Sequence, residues 1–192
     1  MLQYNSMDRK KIGNAVVYIA QRIPLLSKTK LLKLLYLMEE YSVKEFQTPF
    51  LGIPYEVWQA GPVAKDIFID LSETPTILNG FVKKVVKNNN TYIEPIAEFS
   101  DNEFSDNDII VMDNVISIYG KETAKQLVDI THKKNSLWYN IAQKNNLIEL
   151  FKQGKINNSD YQIDFSEQLS ERDKIFYREQ MDFLLIARTY GK

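Results

Sequence analysis

The chain has 192 residues, 44% of them hydrophobic, which suits one sizeable core or at most two small ones. Its 24 basic and 25 acidic side chains leave a formal net charge of −1, so no overall pull toward nucleic acid or an anionic membrane is expected. The absence of cysteine excludes a disulfide framework, a thiolate nucleophile and cysteine-ligated zinc or iron–sulfur sites.

Met1-Leu2-Gln3-Tyr4-Asn5-Ser6 lacks the basic-then-apolar pattern of a signal peptide, and no apolar run approaches the roughly 20 residues of a membrane span. A cytoplasmic, membrane-free protein is the resulting expectation. Ile12, Val16, Ile19, Ala20 and Ile23 follow the 3.6-residue period, predicting a helix from Met7 to Ile23 that Pro24 stops. The next helix is its expected partner. Ser27 is placed as its N-cap, Leu26 and Leu31 as a hydrophobic staple, and Leu31, Leu32, Leu34, Leu35, Leu37 and Met38 follow. A helix apolar nearly all round belongs in the middle of a domain, with Lys28, Lys30 and Lys33 as a solvated edge.

Thr48 to Pro54 is too rich in proline and glycine for a helix, and Tyr55 to Trp58 suits a strand. Gly61-Pro62 ends that strand in this reading, with Pro62 opening a helix that carries Val63, Ile67 and Leu71. Phe81 to Val86 and Tyr92 to Ile96 then form a hairpin around Asn88-Asn89-Asn90, giving one small antiparallel sheet. Ser105 and Asp108 resemble a capping box, Gly120 a C′ stop, and Ser136 a cap for a helix carrying Trp138 and Ile141. The polar, asparagine-rich stretch from Gln143 to Asp164 reads as weakly ordered, before a last helix capped by Ser170 and Asp173 and running to about Tyr190. The fold class is α+β, mainly α-helical, with one small antiparallel hairpin.

The search for chemistry is mostly negative. His132 is the only histidine, and a lone histidine at a helix end usually bonds or caps locally. No nucleophile elbow accompanies it. Asp101, Glu103, Asp106 and Asp108 lack the glycine and terminal glutamate of a calcium loop and read as capping and solvated charge. The seven glycines are scattered singly, so no phosphate-cradling loop is expected. A helix-turn-helix over Met7 to Val43 would need an exposed polar recognition face, which the leucine-rich helix lacks. No metal, no cofactor, no catalytic residue and no nucleic-acid partner are therefore assigned.

Several segments, in this order, resemble one known family: Leu31-Leu32-Lys33-Leu34-Leu35-Tyr36-Leu37-Met38, Pro54 to Val63 with its Trp58-Gln59-Ala60-Gly61-Pro62-Val63 run, Phe104-Ser105, Tyr119-Gly120, and Leu127 to Trp138. As a set they look like the Panacea, or SocA-like, antitoxin domain over about Ile12 to Ala142. The resemblance implies a mainly helical domain with a small β element, encoded in bacteria or their phages beside a toxin that it neutralises by direct contact, without cofactor or reaction. The alternative it implies is an adaptor delivering the toxin to an ATP-dependent protease, and a DNA-binding regulator is a weaker one. Residues 1–142 are read as the family domain and 143–192 as a carboxy-terminal helical extension packed on it. Many relatives have proline before the tryptophan where this chain has Leu137, which implies a different local turn.

Tyr36, Tyr55, Trp58, Gly61, Pro62, Val63, His132 and Trp138 are the candidate partner-binding residues. Aromatics give large contact area at low entropic cost, so they suit a groove edge. They equally suit a core in which a helix packs on a strand and Gly61-Pro62 sets a turn.

Overall fold

Asn5 starts the first helix, α1 (Ser6–Arg22): its side chain accepts from the Asp8 amide at 2.9 Å, and the Asp8 carboxylate accepts from the Asn5 amide in return. Ile23 is extended, as the residue before a proline must be, and ends the helix. The computed structural model describes residues 4–88 and 90–190. Met1, Leu2 and Gln3 of the signal-peptide reading and Asn89 of the asparagine turn lie outside the described residues.

Ser27 caps α2 (Lys28–Phe46), accepting from the Lys30 amide, and every residue from Leu31 to Glu39 is buried. A helix buried on all sides needs neighbours on all sides. It has them in α3 (Lys65–Ser72), α4 (Asp106–Tyr119), α5 (Ala124–Thr131), the strand Gly61–Val63 and a 3-10 turn at Phe165–Gln168. Meanwhile α1 packs mainly on α4 and on the hairpin β3 (Val82–Lys87) and β4 (Asn90–Pro95), and not on α2, the partner expected from the sequence. Gly13 of α1 meets the Phe81 ring at a distance no Cβ would allow.

The first difference from the sequence reading lies at Gly61-Pro62. Instead of ending a strand and opening a helix, Gly61–Val63 forms β2, antiparallel to β1 (Glu56–Trp58), with Glu56 opposite Val63 and Trp58 opposite Gly61. Gly61 has φ +94, a value that favours glycine and folds the chain back on itself. Pro62 has no N–H to leave unpaired, so a short edge strand tolerates it. Among the described residues there are therefore two two-stranded sheets in a mainly helical α+β fold. Val63, Ile67 and Leu71 are all buried, so the apolar spacing was sound although α3 starts later, at Lys65.

The second difference is order in the polar stretch from Gln143 to Asp164. α6 (Leu137–Lys144) and α7 (Leu147–Lys152) occupy its start, and the rest lies along β1 by main-chain bonds: Gln59 N to Asn157 O at 2.9 Å, Val57 N to Tyr161 O at 2.9 Å, and Ile163 N to Tyr55 O at 2.8 Å. Polar side chains do not prevent this, because the peptide groups make the contact. The last helix, α8 (Glu171–Tyr190), begins where Ser170 accepts from the Asp173 amide. Ser105 and Asp108 form the expected capping box of α4, and Asp108 also pairs with Lys11 at 3.1 Å. Gly120 ends α4 with an ordinary φ of −64, as the C-cap and not a left-handed C′ residue.

Candidate functional site

The hairpin β1–β2 is held from behind by a lysine. Lys33, on the all-buried face of α2, is 1% exposed, and its ammonium donates to the Pro62 carbonyl at 2.7 Å. Burial pushes its pKa down to about 7. The expectation of a solvated lysine edge fails at Lys33, which is interior, while Lys30 and Lys28 stay partly exposed, Lys30 donating to the Gly120 carbonyl at 2.7 Å and Lys28 reaching Ser72 at 3.0 Å across the Phe68 ring. A Cβ on Gly61 would stand 2.9 Å from both Lys33 Cε and Thr131 Oγ1. Only glycine lets α2, α5 and the hairpin approach so closely.

His132 and Trp138 close the other side. Ser136 caps α6, accepting from the Tyr139 amide, which fixes Leu137 at the first helical position and Trp138 at the second. That first position is one where a proline would also fit. Trp138 Nε1 donates to the Trp58 carbonyl at 2.9 Å, and Trp58 Nε1 donates to the Glu56 carboxylate at 2.9 Å. The His132 and Trp138 rings lie 3.7 Å apart between centroids. Nδ1 of His132 is 2.6 Å from the Val128 carbonyl oxygen and Nε2 is 3.1 Å from that of Gln59. A neutral imidazole has one N–H and can satisfy one of them, and the shorter contact marks Nδ1 as the donor. Burial lowers the His132 pKa, the two carbonyls pull it back up, and Lys33 lowers it further.

Six of the eight sequence candidates therefore meet: Trp58, Gly61, Pro62, Val63, His132 and Trp138. Beside them opens a cleft of about 290 Å³ lined by Gln59, His132, Trp138, Tyr139, Ile148 and Phe151, with Lys152 at its edge. Tyr36 and Tyr55 belong to a separate aromatic cluster, each ring 5.6 Å from the other and from Phe165. Both are fully buried. Tyr36 donates to Glu40 at 2.7 Å, while the Tyr55 hydroxyl is buried without a partner. Burial raises both phenols well above their ordinary value.

Sequence reasoning missed Lys33 and Glu39, the two charges inside α2. Glu39 is 1% exposed, and its carboxylate accepts from the amides of Phe50, Leu51 and Gly52 at 2.9 to 3.1 Å. It organises the proline- and glycine-rich loop, and burial pushes its pKa up to about 7 against the pull of those amides. The available signal was a contradiction: a helix apolar all round has no edge on which to solvate charge. Glu39 also borders a cavity of about 540 Å³ under α8, with Tyr177, Met181 and Arg188 on its far side.

Fold and site together define a mainly helical α+β domain in which a central helix grips a short β-hairpin through an internal lysine. Residues 31–139, more than half of the chain, match the family described as "Antitoxin SocA-like, Panacea domain", and the chain belongs to that family. The match runs from Leu31 in α2 to Tyr139 in α6, so it contains the whole hairpin arrangement and excludes α1, α7 and α8. No curated protein and no solved structure matches the chain. Among the described residues, no helix is long and apolar enough to cross a membrane.

Proposed function

We propose that this chain is the antitoxin of a bacterial or phage toxin–antitoxin pair, that it acts in the cytoplasm, and that it neutralises a cognate protein toxin by direct contact without catalysing a reaction. Family membership supports the general antitoxin role. The observation that carries the finer reading is the inward commitment of the hairpin's polar groups. Lys33, His132, Trp58 and Trp138 each direct an N–H to a carbonyl or a carboxylate of the same domain, so the arrangement stiffens a scaffold. We take residues 1–142 as the antitoxin domain and 143–192 as an extension packed on it through the 3-10 turn and through Arg188, which reaches Asp8 of α1.

A second reading, the proteolytic adaptor, draws on the existence of two separate surfaces, the aromatic cleft beside His132 and the outer side of α8. The deciding experiment expresses the product of the adjacent open reading frame with and without this chain. Growth arrest relieved by the chain, with both proteins eluting together, is the expected result. Relief through faster loss of the toxin, with no stable complex, favours the adaptor, and an adjacent product without toxicity removes the antitoxin reading.

A further inference from the structure

Helix α8 is anchored firmly on one side and unoccupied on the other. Tyr177 is buried, and Met181 and Leu184 are half-buried against the body. Arg188 ties the far end down, with an ion pair to Asp8 at 2.9 Å and donated bonds to the carbonyls of Gly52 at 2.6 Å and Leu51 at 2.7 Å. Leu184 lies so close to Gly52, which has φ +59, that no Cβ fits between them. The helix is therefore seated by its inner face, and its outer face is fixed in direction.

That outer face carries four large apolar side chains among its charges. Ile175, Phe176, Phe183 and Ile186 are 62%, 46%, 73% and 58% exposed. At 100° per residue they fall on the side opposite Tyr177 and Met181, with seven residues from Phe176 to Phe183 and three more to Ile186. Spacing of this kind is the seam one helix offers another. With Leu185, α8 carries five of the twelve large hydrophobic side chains exposed among the described residues, while of the other seven, two lie well apart on α4 and five are scattered over five further segments. Such a concentration marks an interaction surface.

The charges within the seam say what covers it. Glu179 and Asp182 stand between the two phenylalanines and on their flank, and among the described residues neither meets a cation. In the registers that stack the phenylalanines of two copies, a second copy of this chain fits poorly. Pairing two α8 helices antiparallel about the midpoint of Phe176 and Phe183 sets Glu179 against Glu179, and parallel pairing does the same, so like charges would be desolvated together. A partner with a basic side chain at that point removes the conflict.

We propose that the outer face of α8 is the docking surface for a helix of the cognate toxin, apolar on the side it presents and carrying lysine or arginine opposite Glu179 and Asp182. This rests on the antitoxin reading, and it places partner selection in a helix outside the segment that matches the family. Phe176 and Phe183 supply the anchors, and the two carboxylates set register and exclude partners without the basic group.

The test co-expresses the adjacent open reading frame's product with the full chain as wild type, as Phe183→Glu, as Ile186→Glu, and as the double variant Glu179→Lys, Asp182→Lys. Each is scored for growth, for co-elution and, alone, for its melting curve and mass in solution. The expected result is rescue by wild type, loss of rescue and affinity weakened about 100-fold or more in the two apolar variants, and about tenfold or more in the charge-reversed one, all with the wild-type melting curve. Should an apolar variant unfold, the charge-reversed pair, which exchanges solvated charge for solvated charge, decides. Rescue by every variant at the wild-type level overturns the docking face and leaves the antitoxin reading standing. A free dimer that Phe183→Glu splits, with rescue intact, overturns it in favour of self-pairing. Failure of the wild type itself to rescue overturns the antitoxin reading, and this inference with it.

Discussion

The β1–β2 hairpin and helix α8 treat their aromatic side chains in opposite ways. In the hairpin region Trp138 is 4% exposed and its indole N–H is spent on the Trp58 carbonyl, while on α8 Phe183 is 73% exposed. The residues that carry the family resemblance are thus largely interior, and the densest group of exposed apolar side chains, on α8, lies outside the matched segment. A motif can identify a domain because it builds the scaffold, even when recognition is done elsewhere.

The contrast can be broken most severely at Gly61. Gly61→Val places a branched side chain at φ +94 and within contact of Lys33 and Thr131. A loss of more than about 3 kcal/mol, or failure to fold, is expected in urea denaturation. A stability close to wild type would mean that the hairpin is not gripped as described.

Next in size is the pH dependence set by the two buried charges of α2. The unfolded chain protonates Lys33 up to its ordinary 10.5 but the folded one only to about 7, so between those values the unfolded state binds more protons and stability rises with pH. For Glu39 the order reverses: the folded carboxyl keeps its proton up to about 7 and the unfolded one to 4.5, so stability falls as pH rises through that range. The melting temperature should therefore pass through a minimum near pH 7. Lys33→Met should flatten the rise on the alkaline side and leave the acid side unchanged; a rise of equal slope in the variant would assign it to another group.

Trp138→Phe keeps one six-membered aromatic ring and removes the pyrrole half with its bond to Trp58, so a loss of at least about 1–2 kcal/mol is expected with the fold intact. The smallest effect belongs to α8. Phe183→Ser should change the stability of the free chain by less than about 0.5 kcal/mol, because an exposed side chain leaves little burial to lose. A larger loss would show that Phe183 packs internally and would erase the difference between the two regions.

Much of this was legible where the determinants are local. Ser27, Ser105 and Ser136 were readable as caps because a cap depends on the next three residues. Thr123, whose side chain exchanges bonds with Gln126, was readable on the same rule and was passed over. The hairpin was not, because Gly-Pro is a good helix opening by local rules and becomes a strand only when Lys33 and Thr131 arrive from other helices. Lys33 itself was hidden by Lys28 and Lys30, with which it reads as one solvated edge. The strand-like run from Asn157 to Ile163 was hidden for another reason: its pairing with β1 uses peptide groups that carry no side-chain signature. Of the eight candidate residues, six were brought together, and the tyrosines Tyr36 and Tyr55 went to a neighbouring cluster.

The central claim is that partner contact falls on α8 and leaves the hairpin set internal. Hydrogen exchange of the full chain, alone and with the adjacent open reading frame's product bound, tests it directly. The account predicts added protection along Glu171–Tyr190 and no change at Glu56–Val63 or around His132 and Trp138. Protection gained at the His132–Trp138 cleft, with α8 unchanged, would contradict it.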